Sequence, residues 1–150
     1  VHSDGGSCRG RGPWRSSEGE LALGIVEVDY RPRACLGIEV HDGTTVTIGW
    51  PRAQLGASLR GHVGFGDYNA RLRNDAPVRL LVRIDGETRL HTVVGDREGW
   101  RAFAIATEAG VGDVELEITA GLSGTWQARD YDASPTRTVC VEARTIGAAP

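Results

Sequence analysis

The amino-acid sequence predicts an all-β protein, an antiparallel β-sandwich, and three observations carry that reading. First, apolar residues recur with period two in a series of short runs, the pattern of strands with one buried face. In the cleanest of them Val114, Leu116 and Ile118 alternate with Glu115 and Glu117. Second, Asp85-Gly86 sits between two such runs, and both central residues of a type I′ hairpin turn need the positive φ that Asp tolerates and Gly adopts freely. Third, no stretch of helical length carries apolar residues at 3.6-residue spacing, while 21 glycines are spread along the chain where many short strands would meet turns.

Taken in order, residues 1–19 are rich in Gly, Ser and Arg without any period, and read as a flexible N-terminal arm that Trp14 could tie down. The sandwich domain covers residues 20–146, and a short tail covers 147–150. A first strand over 21–28 leads through a connector at 30–33 to strands at 36–40 and 44–49, with His41-Asp42-Gly43 as the turn between them. Trp50-Pro51 ends the second of these, because proline has no N–H to give to a ladder. Residues 55–65 form a long strand that its glycines bend or bulge. The polar run 66–77 is too long for a tight turn, and loops of that length are often functional. In the strand at 78–84, Val78, Leu80, Val82 and Ile84 share one face and Arg79 and Arg83 the other. Leu81 breaks the alternation, so the second face is partly covered too. Strands at 87–94, 101–107 and 113–119 follow, then a second long polar connection at 120–137, and a strand at 138–145 closes the domain. Eight or nine such strands make a sandwich, and a jelly-roll topology would bring its first and last strands near each other.

A chain of 150 residues fits one domain with a sizeable core, and 40% hydrophobic with 25% charged residues describes a globular protein. No run of 18 apolar residues occurs, so no membrane span is expected. A net charge of −3 speaks against nucleic-acid binding, which normally shows a basic surface. All 17 basic residues are Arg and none is Lys, a bias that a GC-rich genome explains. The sequence begins at Val1 rather than Met, in keeping with a cleaved leader.

Cys8, Cys35 and Cys140 match no zinc, CxxC or haem spacing. Cys35 and Cys140 each fall on the strand face opposite the main apolar set, Leu36, Ile38 and Val40 in one strand and Val139, Val141 and Ala143 in the other. Placed alike on neighbouring strands, they could form a disulfide closing a loop of about a hundred residues, worth roughly 4 kcal/mol. The alternative is two free buried thiols. A disulfide would imply a secreted, periplasmic or cell-surface location. Cys8, in the arm, has no evident partner.

Antiparallel strands place successive connections at alternating ends of a sandwich. Counted from the Asp85-Gly86 turn, the connections at 41–43, 66–77, 95–100 and 120–137 share the far pole, and those at 50–54 and 108–112 share the near one. His41, Tyr68, Trp100, Trp126 and Tyr131 all fall at the far pole. Aromatic faces with Asp, Asn and Arg beside them are what sugar or peptide recognition uses, so Asp67, Tyr68, Asn69, Arg71, Trp126, Asp130 and Tyr131 join His41 and Trp100 as candidate ligand-binding residues. The competing reading is that Trp100 and Trp126 plug the end of the sandwich, with Asp and Asn as ordinary turn formers.

Catalysis and metals find little support. No GxSxG elbow occurs, and His2, His41, His62 and His91 form no HxH or HExxH pair. Glu115 and Glu117 share a strand face and read as a solvated outer surface. Asp130 and Asp132 could hold a structural calcium ion with loop carbonyls, but the pattern matches no calcium-loop consensus, and no cofactor is expected.

The order GHVGFGD, a polar loop, VRLLVRIDGE, a short strand and DVELEIT resembles the galactose-binding-like jelly rolls. It is most similar to the carbohydrate-binding modules that accompany some glycoside hydrolases. Val63-Gly64, residues 82–86, residues 114–118, Trp126 and residues 141–144 stand in the places where that family has its V-G strand, its DG hairpin, its apolar strand, its Trp-bearing loop and its closing strand. The resemblance spans about residues 20–146, and the Cys-bearing arm lies outside it. It implies a non-catalytic extracellular module whose partner is a glycan. Stacking would come from Trp100 or Trp126, and directional hydrogen bonds from Asp67, Asn69, Arg71 and Asp130. A second expectation comes from a different class, a structural or interaction subunit of a cell-surface or extracellular assembly. There the arm at 1–19 packs on a protein neighbour, with Cys8 as a crosslink and a homo-oligomer as the product.

Overall fold

The computed structural model describes residues 8–9, 15–16, 21–41, 43–66, 77–95, 98–120 and 136–147. The described residues form strands and turns with no helix. The strands are β1 (Cys8–Arg9), β2 (Arg15–Ser16), β3 (Leu21–Val28), β4 (Arg31–His41), β5 (Thr45–Leu55), β6 (Ser58–Phe65), β7 (Val78–Ile84), β8 (Glu87–Val94), β9 (Arg101–Ala106), β10 (Gly110–Ala120) and β11 (Thr136–Ile146). One sheet has the order β1-β3-β4-β11-β6-β9 and the other β2-β5-β10-β7-β8. Every pairing is antiparallel except that of β1 with β3. From β4 onward the chain changes sheet at each connection except the β7–β8 hairpin. The resulting order, β4-β11-β6-β9 facing β5-β10-β7-β8, is that of a jelly roll.

The period-two pattern explains the layering. Ile38 and Val40 of β4, Ile48 of β5, Leu80 and Val82 of β7 and Ile118 of β10 are fully buried between the sheets. Each is worth roughly 1.5–3 kcal/mol of apolar burial. The expected turn is present, with φ of 52° at Asp85 and 81° at Gly86. Its outward neighbour Leu81 is half-buried, as the broken alternation in β7 implied. Glu115 and Glu117 lie on the outer face of the β5-β10-β7-β8 sheet and are tied there by arginines. Arg83 meets both carboxylates at 2.8 Å, and Arg79 meets Glu117 at 3.1 Å. Hydrogen bonds from Arg83 to Glu117 and then Glu115 hold its pKa above the usual guanidinium value.

Several boundaries differ from the sequence reading, each for a physical reason. Pro51 does not end β5, which continues to Leu55. Val114 pairs with Trp50 and Gly112 with Ala53, so Pro51 and Arg52 together oppose Asp113 in a bulge. The missing proline N–H therefore falls where the ladder is already interrupted. Arg52 takes φ 55° and donates its N–H to Asp113 Oδ1 at 2.7 Å. The near-pole connections accordingly lie at 56–57 and 107–109, not at 50–54 and 108–112. Residues 30–33 are not a connector either. Asp29 and Tyr30, with φ of 55° and 57°, make a two-residue turn, and Arg31 opens β4. Pro32 is accommodated because this part of β4 pairs only with β3.

Beyond Gly24 the β3–β4 hairpin leaves the sheet and curls back over its outer face. Inward neighbours fix the direction of Gly37, Gly64 and Gly66, which alternate with the buried Leu36, Ile38, Val63 and Phe65 and so look outward. A Cβ on Gly64 would come within 2.8 Å of Val28 Cγ1, and one on Gly37 or Gly66 within 3.3 and 3.5 Å of Val26. The tip reaches across to the start of β9, where Asp29 lies beside Gly99. The three glycines are a floor on which Val26 and Val28 rest. Cys35 and Cys140 form a disulfide at the root of this curl, with Cα atoms 5.7 Å apart. Val28, Cys35 and Cys140 make a second small core on the outer face, joined by Val26 and Trp100. The face assignment made from alternation alone is therefore the one observed.

Candidate functional site

The strand registers bring the ends of four connections to one pole. β4, β6, β8 and β10 all run away from the Asp85-Gly86 turn, and their far ends lead into 42–44, 66–77, 95–100 and 121–135. Backbone hydrogen bonds pin the roots of these connections to one another. Gly66 N donates to Thr138 O at 2.9 Å, which joins the start of 66–77 to the end of the second long connection. Gly43 N donates to Ala120 O at 2.8 Å, which joins the short turn to the start of that connection. Val78 pairs with Val94, so Pro77 and Gly95 are neighbours.

Under these roots lies Arg137, opposite Val40 and 1% exposed, the one buried charged side chain among the described residues. It shares the inward face of β11 with Val139 and Val141. A buried guanidinium must be compensated by nearby acceptors. Sequence reading took it as the last residue of a loop, since a lone Arg before a strand gives no signal of inward orientation.

Two of the candidate ligand-binding residues can be placed. His41 is exposed at the end of β4, and its carbonyl accepts the N–H and hydroxyl of Thr44 at 3.0 and 2.7 Å. Trp100 is half-buried against the disulfide cluster on the outer face of the β4-β11-β6-β9 sheet. Its ring stacks on His62, with centroids 5.3 Å apart and planes within 5°, and the Arg33 guanidinium lies over it 5.5 Å from the centroid. His62 Nδ1 in turn meets Glu142 Oε1 at 2.6 Å. This Arg33–Trp100–His62–Glu142 array ties hairpin, β6, β9 and β11 together, and only His62 and Trp100 had been singled out in the sequence. Asp67, Tyr68, Asn69, Arg71, Trp126, Asp130 and Tyr131 lie outside the described residues, as does Asp132. Among the described residues no group of three or more His, Cys, Asp or Glu could hold a metal ion, and no helix is long and apolar enough to cross a membrane.

No protein-family model and no curated protein matches the sequence. Solved structures do. The chain is similar to the tandem CBM51 modules of the family 98 glycoside hydrolase of Streptococcus pneumoniae, with 13% identity and a TM-score of 0.49 over 84% of this chain and 37% of that one. It is similar to CBM51 from Clostridium perfringens GH95 in complex with methyl-galactose, with 12% identity and a TM-score of 0.46 over 86% of this chain and 89% of that one. A third is the CBM51-2 and INT structure of Clostridium perfringens ZmpB with GlcNAc, with 14% identity, a TM-score of 0.45 and coverage of 88% and 28%. The chain thus spans little more than a quarter of the ZmpB structure and about a third of the streptococcal one. These neighbours are carbohydrate-binding modules, the family type that the sequence resembles. At this degree of similarity they lend no residue role and no ligand to this chain.

Proposed function

We propose that the protein is a non-catalytic, exported binding module that recognises a carbohydrate through the connections at the far pole. The observation that carries this reading is that the ends of four connections, two of them long, lie at one pole, where the Gly66–Thr138 and Gly43–Ala120 hydrogen bonds join three of them and the Val78–Val94 pairing brings in the fourth. Loops held by a rigid sandwich are where binding residues concentrate. The candidate residues supply what a sugar needs. Tyr68, Trp126 and Tyr131 offer apolar ring faces for the C–H face of a pyranose, and Asp67, Asn69, Arg71 and Asp130 offer directional acceptors and donors for its hydroxyl rim. His41 and Trp100 complete the set of candidate residues. The Cys35–Cys140 disulfide supports export, because such bonds persist in oxidising compartments.

The test is a broad glycan array, followed by a fluorescence titration with the glycan that binds. The reading expects at least one glycan to bind and Trp126→Ala to abolish the response while the far-UV spectrum stays unchanged. A blank array sinks it.

A further inference from the structure

The curl of the β3–β4 hairpin opens the sandwich on the other side of the molecule, toward the near pole. β4 pairs with β11 only as far as Leu36 opposite Val141, whereas β11 continues to Ile146 along β6. From Glu142 to Ile146, the β11 edge that would face β4 therefore pairs with no strand of the described residues. Beside that open edge lies a cleft of about 620 Å³ between the sheets. Its walls include Leu23, Leu36, Trp50, Ala53, Leu59 and Leu116, and residues 141–145 of β11 form its lip. Leu23 stays 54% exposed at its mouth, and Ile25 75% exposed on the convex side of the curl. The volume is in the range of about 300–1,000 Å³ typical of ligand sites.

An aliphatic wall alone would suit any apolar molecule. The adjoining row of N–H and C=O groups, which no described strand pairs, narrows the choice, because only another extended backbone satisfies both at once. Charge narrows it further. Arg144 of the lip stands directly opposite Arg60 of β6, both are exposed, and neither forms an ion pair with any described residue. Like charges facing each other across strands are destabilising unless an anion intervenes. We infer that the edge of β11 from Glu142 to Ile146 and the adjoining cleft form a docking site for an extended peptide, which adds as a strand to β11. Alternate aliphatic side chains of the peptide fill the cleft, and acidic residues between them meet Arg144 and Arg60. Backbone pairing gives such a complex its affinity and the cleft its specificity. The site lies apart from the far-pole connections, so it stands or falls independently of glycan recognition.

The test pans a random heptapeptide phage library on the disulfide-intact protein and then measures synthetic copies of the enriched peptides by calorimetry. Enriched peptides should carry aliphatic residues at every second position. N-methylation of alternate amides, which deletes about two hydrogen bonds, should weaken binding by roughly tenfold or more. Ala53→Phe, which fills the cleft from β5, should weaken it similarly. The inference is overturned if no peptide is enriched, if N-methylated and unmodified peptides bind equally, or if Ala53→Phe, shown to be folded, binds as the parent does. Binding of dodecanoate without any peptide would assign the cleft to free aliphatic chains instead. A dimer in sedimentation that protects the edge amides, with no peptide bound, would assign it to a second copy. Either result also overturns the inference.

Discussion

Replacing Cys35 and Cys140 together by alanine should cost this domain a large part of its stability. The two residues are separated by 105 positions, so the bridge closes most of the chain into one loop. The chain-entropy relation gives about 16 cal/mol/K for a loop of that length, or about 4.7 kcal/mol at 25 °C. Loss of two sulfur atoms from the small outer core under Val28 and Trp100 adds about 1 kcal/mol. Against a total stability of about 5–15 kcal/mol, the variant would be left marginal. With a urea m-value of about 2 kcal/mol/M, the midpoint should fall by roughly 2 M or more. Equilibrium urea unfolding of the oxidised parent and the double variant, followed by far-UV circular dichroism and tryptophan fluorescence, measures it. A loss below about 1 kcal/mol would refute the reasoning, since the hairpin would then be held down by packing alone and the unfolded chain would gain no freedom from the cut.

Two further substitutions probe the same curled hairpin without touching the bridge. Gly64→Ala places a methyl group 2.7 Å from Gly99 O and 2.8 Å from Val28 Cγ1, so the hairpin or the β9 entry must shift; a loss of about 1–3 kcal/mol is expected in urea unfolding, and an unchanged midpoint would show that the hairpin does not rest on that glycine. Trp100→Ala removes the stack on His62 and the Arg33 contact together. It should cost about 2–3 kcal/mol, near or below the low end for a large aromatic because the ring is only half-buried. A cost under about 0.5 kcal/mol in the same assay would contradict a structural role for Trp100.

The strands were legible where alternation is strict. β3, β7 and β8 have the expected bounds, and the outward placement of Cys35 and Cys140 followed from the same period-two rule. Departures arose where a long-range partner decides. Pro51 reads locally as a strand end, yet a bulge opposite Asp113 absorbs it, and only the register of β10 reveals that. The run Tyr30-Arg31-Pro32-Arg33 looks like a connector because nothing local says that Asp29 and Tyr30 will turn with positive φ and fold a hairpin onto Gly64 and Gly66, far along the chain. Trp100 was assigned to the far pole by its place in the chain. Its packing onto His62, Arg33 and the disulfide depends on that curl, which no window of sequence displays. The inward direction of Arg137 was hidden for the same reason, since burial of a charge is settled by what surrounds it in space.

The most direct measurement of the account is a two-dimensional amide NMR titration with the glycan taken from the array. Shifts are predicted to concentrate at His41, Gly43, Gly66, Ala120 and Thr138 and in the connections they anchor, with the Asp85-Gly86 turn and the Glu142–Ile146 edge unmoved. Shifts centred on that turn or on that edge, with the far-pole amides silent, would contradict it.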